Sequence, residues 1–416
     1  MADQMGSTAD SQPRWVVAHC GARDQYQLPI SFHEVGQLYK FVTDWYTPLD
    51  SPIQGTLLKQ ALPYHRSILA RRHHTELPSS FVKDFKLKGA LNRVFRTDER
   101  ELELDRLVGE SAARLTSESE SHLLITSYNA WAAFPKLSKY TKKVLFQIHP
   151  HPWFLRELYS TPERKWDLGD GFKIESEMRV SDEFLRRWGQ ESLDADIVVA
   201  ASSFTRKSLL HVGVKPERIR VVPYGVDRLT FRNDVASPSG KPKVLFVGQP
   251  TSRKGLWHLL EVWEQLANQE AELHIASGST ANKRDLRSGG SVIWYGRLDL
   301  SELVELMNRS DLLVLPAIAE GFAHVLLEAL SCGTPILSSD ASAAPDLLKG
   351  WDEQFLFAAG DWDALASKLD YWLTNVDRLR KLRSSARHLA EGFTRERFRR
   401  KLRNACNEDI GPQNLT

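Results

Sequence analysis

The chain has 416 residues, 42% of them hydrophobic and 26% charged, a composition typical of a globular protein long enough for two domains. Its formal net charge of +2 gives no general attraction to nucleic acid, so nucleic acid is not expected as a partner. Because the three cysteines are scattered, no signal peptide is evident and no apolar run reaches the about 20 residues of a spanning helix, we expect a cytoplasmic protein that at most touches a membrane.

The first predicted element is a strand from Trp15 to Cys20, which leads into a loop beginning at Gly21. In a doubly wound domain this first strand-to-helix loop faces the ligand, which makes Gly21 a candidate binding residue. Arg23 could supply positive charge to a phosphate or an acceptor. A surface arginine in a turn is the alternative.

Residues 64–96 form a basic stretch, in which cationic side chains outnumber acidic ones and are interleaved with aromatic and aliphatic residues. Such a surface could make peripheral contact with anionic lipid or hold a phosphorylated acceptor. A solvated amphipathic face is the alternative. The histidines of this region show no metal-binding pattern.

Two further buried strands are predicted at residues 123–127 and 144–148, and the second ends at His149-Pro-His151-Pro. A histidine packed beside prolines in a turn is the structural alternative to a ligand-binding role. Farther along, a strand leads into a helix at Ser202 and Ser203. We predict that these serines cap the helix, because no base that could activate a nucleophile is visible.

A small, polar stretch with two prolines, residues 233–242, predicts an interdomain linker. It separates a predicted N-terminal domain at 1–232 from a predicted C-terminal domain at 243–393. The second domain begins with a strand at 243–247, whose loop runs from Gly248 to Gly255 and leads into an amphipathic helix.

Arg253 and Lys254 therefore stand at a helix entrance on the ligand side of the predicted sheet. Two cations in that place can neutralise a diphosphate. Without other site residues, such a pair would more often be solvated surface. A later strand, at 291–295, is followed directly by Gly296 and Arg297.

The most informative stretch combines a strand at Leu312–Leu315, an acidic loop at Glu320, and a helix predicted from Phe322 to Leu330. Glu320 and Glu328 are eight residues apart, about 12 Å along a helix. Carboxylates that act on one glycosidic bond are about 5 to 9.5 Å apart, so this pair suits a longer ligand. The backbone N–H groups from Gly321 to His324 would form a helix N-terminus that attracts phosphate.

The segment from Glu320 to Glu328, with its continuation Ala-Leu-Ser-Cys-Gly-Thr-Pro, resembles the E-x7-E motif of the family-4 retaining glycosyltransferases. The Arg253-Lys-Gly segment and the Pro-Tyr-Gly-Val-Asp227 segment are also similar to that family. The resemblance is strong over 194–348 and weaker over 15–153.

Several positions depart from the family pattern. Ala323 stands where glycine is common, Tyr224 where asparagine is frequent, and Gln249 where some members carry arginine. The first loop has Gly21 alone, where the family often has two glycines.

The resemblance implies an α/β fold with two Rossmann-like domains facing across a cleft, the glycosyltransferase B (GT-B) architecture. In that architecture the domain at 1–232 would bind the acceptor and the domain at 243–393 would bind the nucleotide sugar. The C-terminal helix, within 394–416, is expected to cross back to the first domain. The implied activity is retaining, metal-independent transfer of a hexose from a UDP- or GDP-sugar to an acceptor hydroxyl, in glycan, glycolipid or glycoside biosynthesis. The acceptor would be a carbohydrate, a lipid-linked molecule or a small molecule, and no cofactor or metal is expected.

The resemblance also implies roles for individual residues. The catalytic set is His149, Arg253, Lys254 and Glu320, with His151 as the alternative to His149. The donor-binding set is Gly21, Gly248, Arg253, Lys254, Gly296, Arg297, Gly321, Phe322, Ala323, His324 and Glu328. Glu320 would bind hydroxyls of the transferred sugar and Glu328 those of the ribose.

Two other functions are compatible with this sequence. One is a nucleotide-sugar epimerase of the same fold. The other is a non-catalytic nucleotide-sugar-binding partner subunit. The intact set of two cations and two glutamates favours the transferase, because drift would be expected to erode charged site residues first.

Overall fold

The computed structural model describes residues 13–50, 71–86, 88–89, 97–160, 172–173, 175–232, 238–266, 270–278 and 291–408. The chain forms two compact units. The first contains Met1–Phe146, Gln190–Val199 and Arg399–Thr416, and the second contains Gln147–Gly189 and Ala200–Phe398. The domain boundaries expected at 232 and 393 stay a prediction, and residues 233–237 of the expected linker lie outside the described residues.

The strands within the described ranges are, in chain order, β1 (Trp15–Ala18), β2 (Leu38–Thr43), β3 (Val82–Asp84), β4 (His122–Thr126), β5 (Lys143–Gln147), β6 (Ile197–Ala200), β7 (Ile219–Val221), β8 (Lys243–Val247), β9 (Glu272–Ala276), β10 (Val292–Gly296), β11 (Leu312–Leu315), β12 (Ile336–Ser339) and β13 (Leu356–Phe357). They form two sheets. The apolar runs of β1, β6 and β11 are buried at every residue, as expected for parallel strands covered on both faces.

The helices of the described ranges are α1 (Gln27–His33), α2 (Asp98–Glu118), α3 (Pro152–Ser160), α4 (Ser176–Arg179), α5 (Asp182–Asp194), α6 (Ser203–His211), α7 (Leu256–Leu266), α8 (Leu300–Arg309), α9 (His324–Ser331), α10 (Ala344–Leu347), α11 (Asp352–Phe355), α12 (Trp362–Thr374), α13 (Val376–Lys381), α14 (Arg383–Ala390) and α15 (Arg395–Asn407). None of them combines the length and the apolar character that a bilayer-crossing helix needs. Ser202 caps α6 by accepting a hydrogen bond from the Thr205 amide, which confirms its predicted role.

The first sheet has the strand order β3-β2-β1-β4-β5-β6-β7. The register of β1 is set by parallel pairing with β2 on one side and β4 on the other. The order reverses between β1 and β4, so the loop that begins at Gly21 follows one of the two strands at this reversal.

The second sheet has the strand order β10-β9-β8-β11-β12-β13, and its strand pairings are parallel. The order reverses between β8 and β11, which pair through Leu312 with Val244 and Leu313 with Leu245. Open α/β sheets bind ligands beyond the carboxyl ends of the strands at such a reversal. The loops that follow β8 and β11 therefore define the place to look for a site.

Strand predictions at β8 and β11 are confirmed residue for residue. The helix predicted from Phe322 begins instead at His324, because Ala323 takes a left-handed conformation with φ of 65° that a helix cannot contain. The α/β class with two parallel sheets is confirmed.

The end of the chain packs where the resemblance placed it. On α15, Arg399 forms an ion pair with Glu76 at 2.7 Å, and Arg403 contacts Glu34 and donates a hydrogen bond to the Ser31 carbonyl at 2.6 Å. These contacts join α15 to α1 and to the segment before β3, and they confirm the expected return of the last helix.

The basic stretch at 64–96 is described in part, since residues 64–70, 87 and 90–96 lie outside the described residues. Within its described part, Arg72 pairs with Asp44 at 2.9 Å and is largely buried, while Lys88 pairs with Glu103 on the surface. Arg72 therefore serves the fold, and membrane contact through this stretch stays a prediction.

Candidate functional site

The loops after β8 and β11 are packed tightly against each other. The Ile318 amide donates a hydrogen bond to the Arg253 carbonyl at 2.8 Å. Gly255 has a φ of 72°, and a Cβ added there would lie 1.9 Å from the Pro316 carbonyl oxygen. Only glycine accommodates both the left-handed backbone and this approach, so Gly255 fixes how Arg253 and Lys254 face the second loop.

Arg253, Lys254 and Glu320 form one ion-paired cluster at the reversal point of the second sheet. Lys254 Nζ lies 2.7 Å from Glu320 Oε1, and Arg253 Nη1 contacts the same oxygen. Arg253 Nη1 also donates to the Ala319 carbonyl at 3.0 Å. The structure thus brings together three of the four residues predicted to be catalytic.

Electrostatic interactions within the cluster stabilise the charged forms of Glu320 and Arg253. Burial alone would raise the pKa of Glu320, but Arg253 and Lys254 outweigh it and lower that pKa to about 2. Burial acts against the charge of Arg253 as well, and Glu320 overcomes it and raises the pKa of the guanidinium. Glu320 is therefore a permanent anion, able to accept hydrogen bonds but not to deliver a proton near neutral pH.

Glu175 is a second carboxylate of this cluster. Its Oε2 lies 3.2 Å from Arg253 Nε, and both side chains are mostly buried. Sequence reasoning missed this residue, since it lies in no recognisable motif and reaches Arg253 across 78 residues of chain. No pattern in the sequence could have found it.

Gly321 holds the acidic loop against the residues that follow β5. A Cβ added at Gly321 would lie 2.0 Å from the Ile148 carbonyl oxygen and 3.2 Å from His149 Cα. Ser202 Oγ and Thr205 Oγ1 both donate hydrogen bonds to the Gly321 carbonyl. The structure therefore places the predicted His149 beside the acidic loop, and the two hydroxyls are positioning groups that the sequence did not reveal.

His151, the alternative to His149, has a structural environment. Its Nε2 lies 3.0 Å from the Gly189 carbonyl, and its Nδ1 accepts a hydrogen bond from the Trp153 amide at 3.2 Å. Burial lowers its pKa to about 4. Both ring nitrogens serve the backbone around α3 and α5.

Phe322, Ala323 and His324 form the entrance of α9. Ala323 makes no side-chain capping hydrogen bond. The Tyr224 ring contacts both Phe322 and His324, with ring centroids 5.3 and 4.4 Å apart, and also contacts Phe398. The aromatic residue that replaces the frequent asparagine thus supports the start of α9.

Glu328, one turn into α9, is partly buried. Burial raises its pKa to about 7, with Arg395 acting in the opposite direction. Within the described residues its carboxylate has no ion pair. Glu320, in the loop before α9, and Glu328, within α9, therefore differ in their protonation behaviour.

The remaining predicted donor-binding residues are more scattered. Gly248 lies beside the Lys254 side chain, and a Cβ there would be 3.5 Å from Lys254 Cδ. Gly296 ends β10, and Arg297 behind it is exposed. Gly21 lies in the first unit, where its amide donates to Asp44 Oδ1 at 2.8 Å. The described residues hold no group of three or more potential metal ligands.

Part of this chain matches a known protein family. Residues 227–389, which include Arg253, Lys254, Glu320 and Glu328, match the family described as "Glycosyl transferases group 1". Alpha-maltose-1-phosphate synthase of Mycobacterium tuberculosis is 24% identical over 266 residues, which cover 57% of this chain and 65% of that protein. The chain thus matches just under two thirds of that relative's length.

Solved structures show the same fold. Sucrose-phosphate synthase from Thermosynechococcus elongatus matches with a TM-score of 0.62 and 17% identity, over 94% of this chain and 98% of that one. HepE from Anabaena, solved in complex with UDP-glucose, matches with a TM-score of 0.55 and 15% identity, over 94% and 98% of the two chains. The fold is of the GT-B class, and residues 227–389 match the glycosyl transferases group 1 family.

Proposed function

We propose that this protein is a retaining glycosyltransferase that moves a hexose from a UDP- or GDP-sugar to an acceptor hydroxyl. The observation that carries the proposal is the cluster of Arg253, Lys254 and Glu320 at the reversal point of the second sheet. The group 1 match over the same residues and the names of the relatives support it.

Arg253 and Lys254 would hold the diphosphate of the donor. Negative charge grows on the departing nucleoside diphosphate as the glycosidic bond breaks, and two preorganised cations lower the energy of that state. The uncapped start of α9 at Ala323 adds backbone N–H groups that favour an anion.

Glu320 would accept hydrogen bonds from hydroxyls of the transferred hexose. Its pKa of about 2 keeps it ionised, and an ionised carboxylate is an acceptor only. Glu328 would accept from the ribose hydroxyls. His149, beside Gly321, would orient the sugar.

The resemblance to family-4 enzymes carries the retention of configuration. Glu320 and Glu175, the carboxylates that contact Arg253, are both engaged in ion pairs, so the departing phosphate would itself accept the proton of the acceptor hydroxyl. Metal independence is proposed because the two cations stand where a divalent ion would otherwise neutralise the diphosphate.

The test is donor turnover in the presence of EDTA. The purified protein is incubated with UDP- and GDP-hexoses, and release of the nucleoside diphosphate is measured for the native chain, Glu320→Gln and Glu217→Gln. We expect the native chain to turn over one donor and Glu320→Gln to lose about 10²- to 10³-fold of that turnover. Glu217→Gln should keep the native turnover, because Glu217 is exposed on the surface.

Two results would contradict the proposal. Full activity of Glu320→Gln would remove the assigned role of Glu320. Tight donor binding without turnover of any donor would favour the non-catalytic binding subunit.

A further inference from the structure

Glu175 occupies a part of Arg253 that a phosphate needs. Arg253 Nη1 already donates to the Ala319 carbonyl and to Glu320. Glu175 takes Nε, and among the described residues no hydrogen bond uses Nη2. Arginine grips a phosphate through two parallel N–H groups, so the edge formed by Nε and Nη2 is the one left for a ligand. Glu175 covers half of that edge.

The charges of the cluster lead to the same conclusion. Arg253 and Lys254 contribute two positive charges, while Glu320 and Glu175 contribute two negative charges, so the ionised cluster sums to zero. The net charge of these four side chains therefore gives a diphosphate no attraction beyond that of the backbone N–H groups of α9. Withdrawal of Glu175 from Arg253 would restore one positive charge to the site.

Of the two carboxylates, Glu175 is the one that can be released. Glu320 is bound by both cations and is 5% exposed. Among the described residues Glu175 has a single cationic partner, and burial raises its pKa, with Arg253 acting against that change. The ion pair between Glu175 and Arg253 is thus weaker than the ion pairs of Glu320 with Arg253 and Lys254.

Only the Glu175 side chain would have to move. Its amide donates to the Phe172 carbonyl and its carbonyl accepts from the Met178 amide, both at 3.0 Å. Phe172 and Met178 pack into an apolar cluster that includes Ile318 and Ala319. The backbone on both sides is anchored, so a rotation of the side chain is enough to free Nε.

We propose that Glu175 is a displaceable carboxylate that occupies the phosphate-binding edge of Arg253 and sets the affinity for the nucleoside diphosphate. The diphosphate takes the place of Glu175 on Nε when it binds, and Glu175 returns when the product leaves. This inference rests on the proposed function, because it assumes that Arg253 binds a diphosphate.

The experiment is calorimetric titration of the full chain with UDP, GDP and ADP, and with the corresponding nucleosides. Glu175→Gln keeps the shape of the side chain but removes its charge, and Glu175→Ala removes the contact altogether. Asp182→Asn is the matched control, since it removes one nearby surface charge that is 89% exposed. Melting temperatures without ligand confirm that each variant is folded.

We expect both Glu175 variants to bind the preferred diphosphate about tenfold more tightly, with the affinity for the nucleoside and the behaviour of Asp182→Asn unchanged. Equal or weaker diphosphate binding by the Glu175 variants would overturn the displacement alone, as would an equal gain in Asp182→Asn. Absence of diphosphate binding by the native chain and by both variants would overturn the proposed function as well.

Discussion

Glu320 and Glu328 carry the same carboxylate but lie in opposite electrostatic surroundings. Two cations hold the pKa of Glu320 at about 2, whereas burial without an ion pair in the described structure raises the pKa of Glu328 to about 7. A ribose hydroxyl can donate a hydrogen bond to a carboxylate and can accept one from a carboxylic acid. Glu328 therefore suits this neutral partner in either of its protonation states. Glu320 is the residue whose charge the site depends on.

The raised pKa of Glu328 predicts a dependence of stability on pH. In the unfolded chain a glutamate titrates near 4.3, and in the folded protein Glu328 titrates at about 7. The contribution of the buried, protonated form is therefore complete below about pH 4.3 and is lost as the pH rises through 7. The native chain should therefore lose about 2 kcal/mol of unfolding free energy between pH 5 and pH 8 that Glu328→Gln, which has no titrating group at this position, does not lose.

Urea denaturation at several pH values checks this difference. Glu217→Gln, on the exposed surface, serves as the control and should show a constant difference from the native chain. A pH-independent difference for Glu328→Gln would mean that Glu328 titrates normally in the folded protein.

The loops that form the site approach neighbouring backbone so closely that the contact points have no room for a side chain. Gly255 meets the Pro316 carbonyl, and Gly321 meets the Ile148 carbonyl. The hydroxyls of Ser202 and Thr205 hold the Gly321 carbonyl from the start of α6. The positions of Arg253 and Glu320 thus depend on backbone packing.

Gly321→Ala tests this packing. The new Cβ would lie 2.0 Å from a backbone oxygen that cannot rotate away, so the acidic loop must shift. We expect a loss of about 2–4 kcal/mol in unfolding free energy by urea denaturation, together with loss of donor turnover. Gly278→Ala, where a Cβ meets nothing within 4 Å, should change neither property. A Gly321→Ala variant with native stability and turnover would refute the packing argument.

Some of these elements could be predicted from the sequence and others could not. Strands β8 and β11 were predicted to the residue because short apolar runs in a covered parallel sheet have sharp ends. The start of α9 was misplaced by two residues, because a left-handed alanine has no local sequence pattern. Arg253, Lys254 and Glu320 were found through motifs, whereas Glu175 depends on a long-range contact that no motif records.

The chain as a whole forms two parallel sheets whose strand orders reverse in the same way. The second reversal holds the charged cluster. The group 1 match covers Arg253, Lys254 and Glu320 of that cluster but ends before α15 begins. The ion pairs of α15 with Glu34 and Glu76 join this helix to residues of the first unit.

Thermal melting with UDP, GDP and ADP tests whether this cluster binds a diphosphate. Each ligand is added with EDTA and then with magnesium, to the native chain, Lys254→Ala and Glu217→Gln. At about 100 times its dissociation constant a ligand stabilises the folded state by about 2.7 kcal/mol. We predict that one diphosphate raises the melting temperature without magnesium, that Lys254→Ala loses most of this rise, and that Glu217→Gln keeps it. A rise that requires magnesium, or one that Lys254→Ala retains in full, would contradict the account.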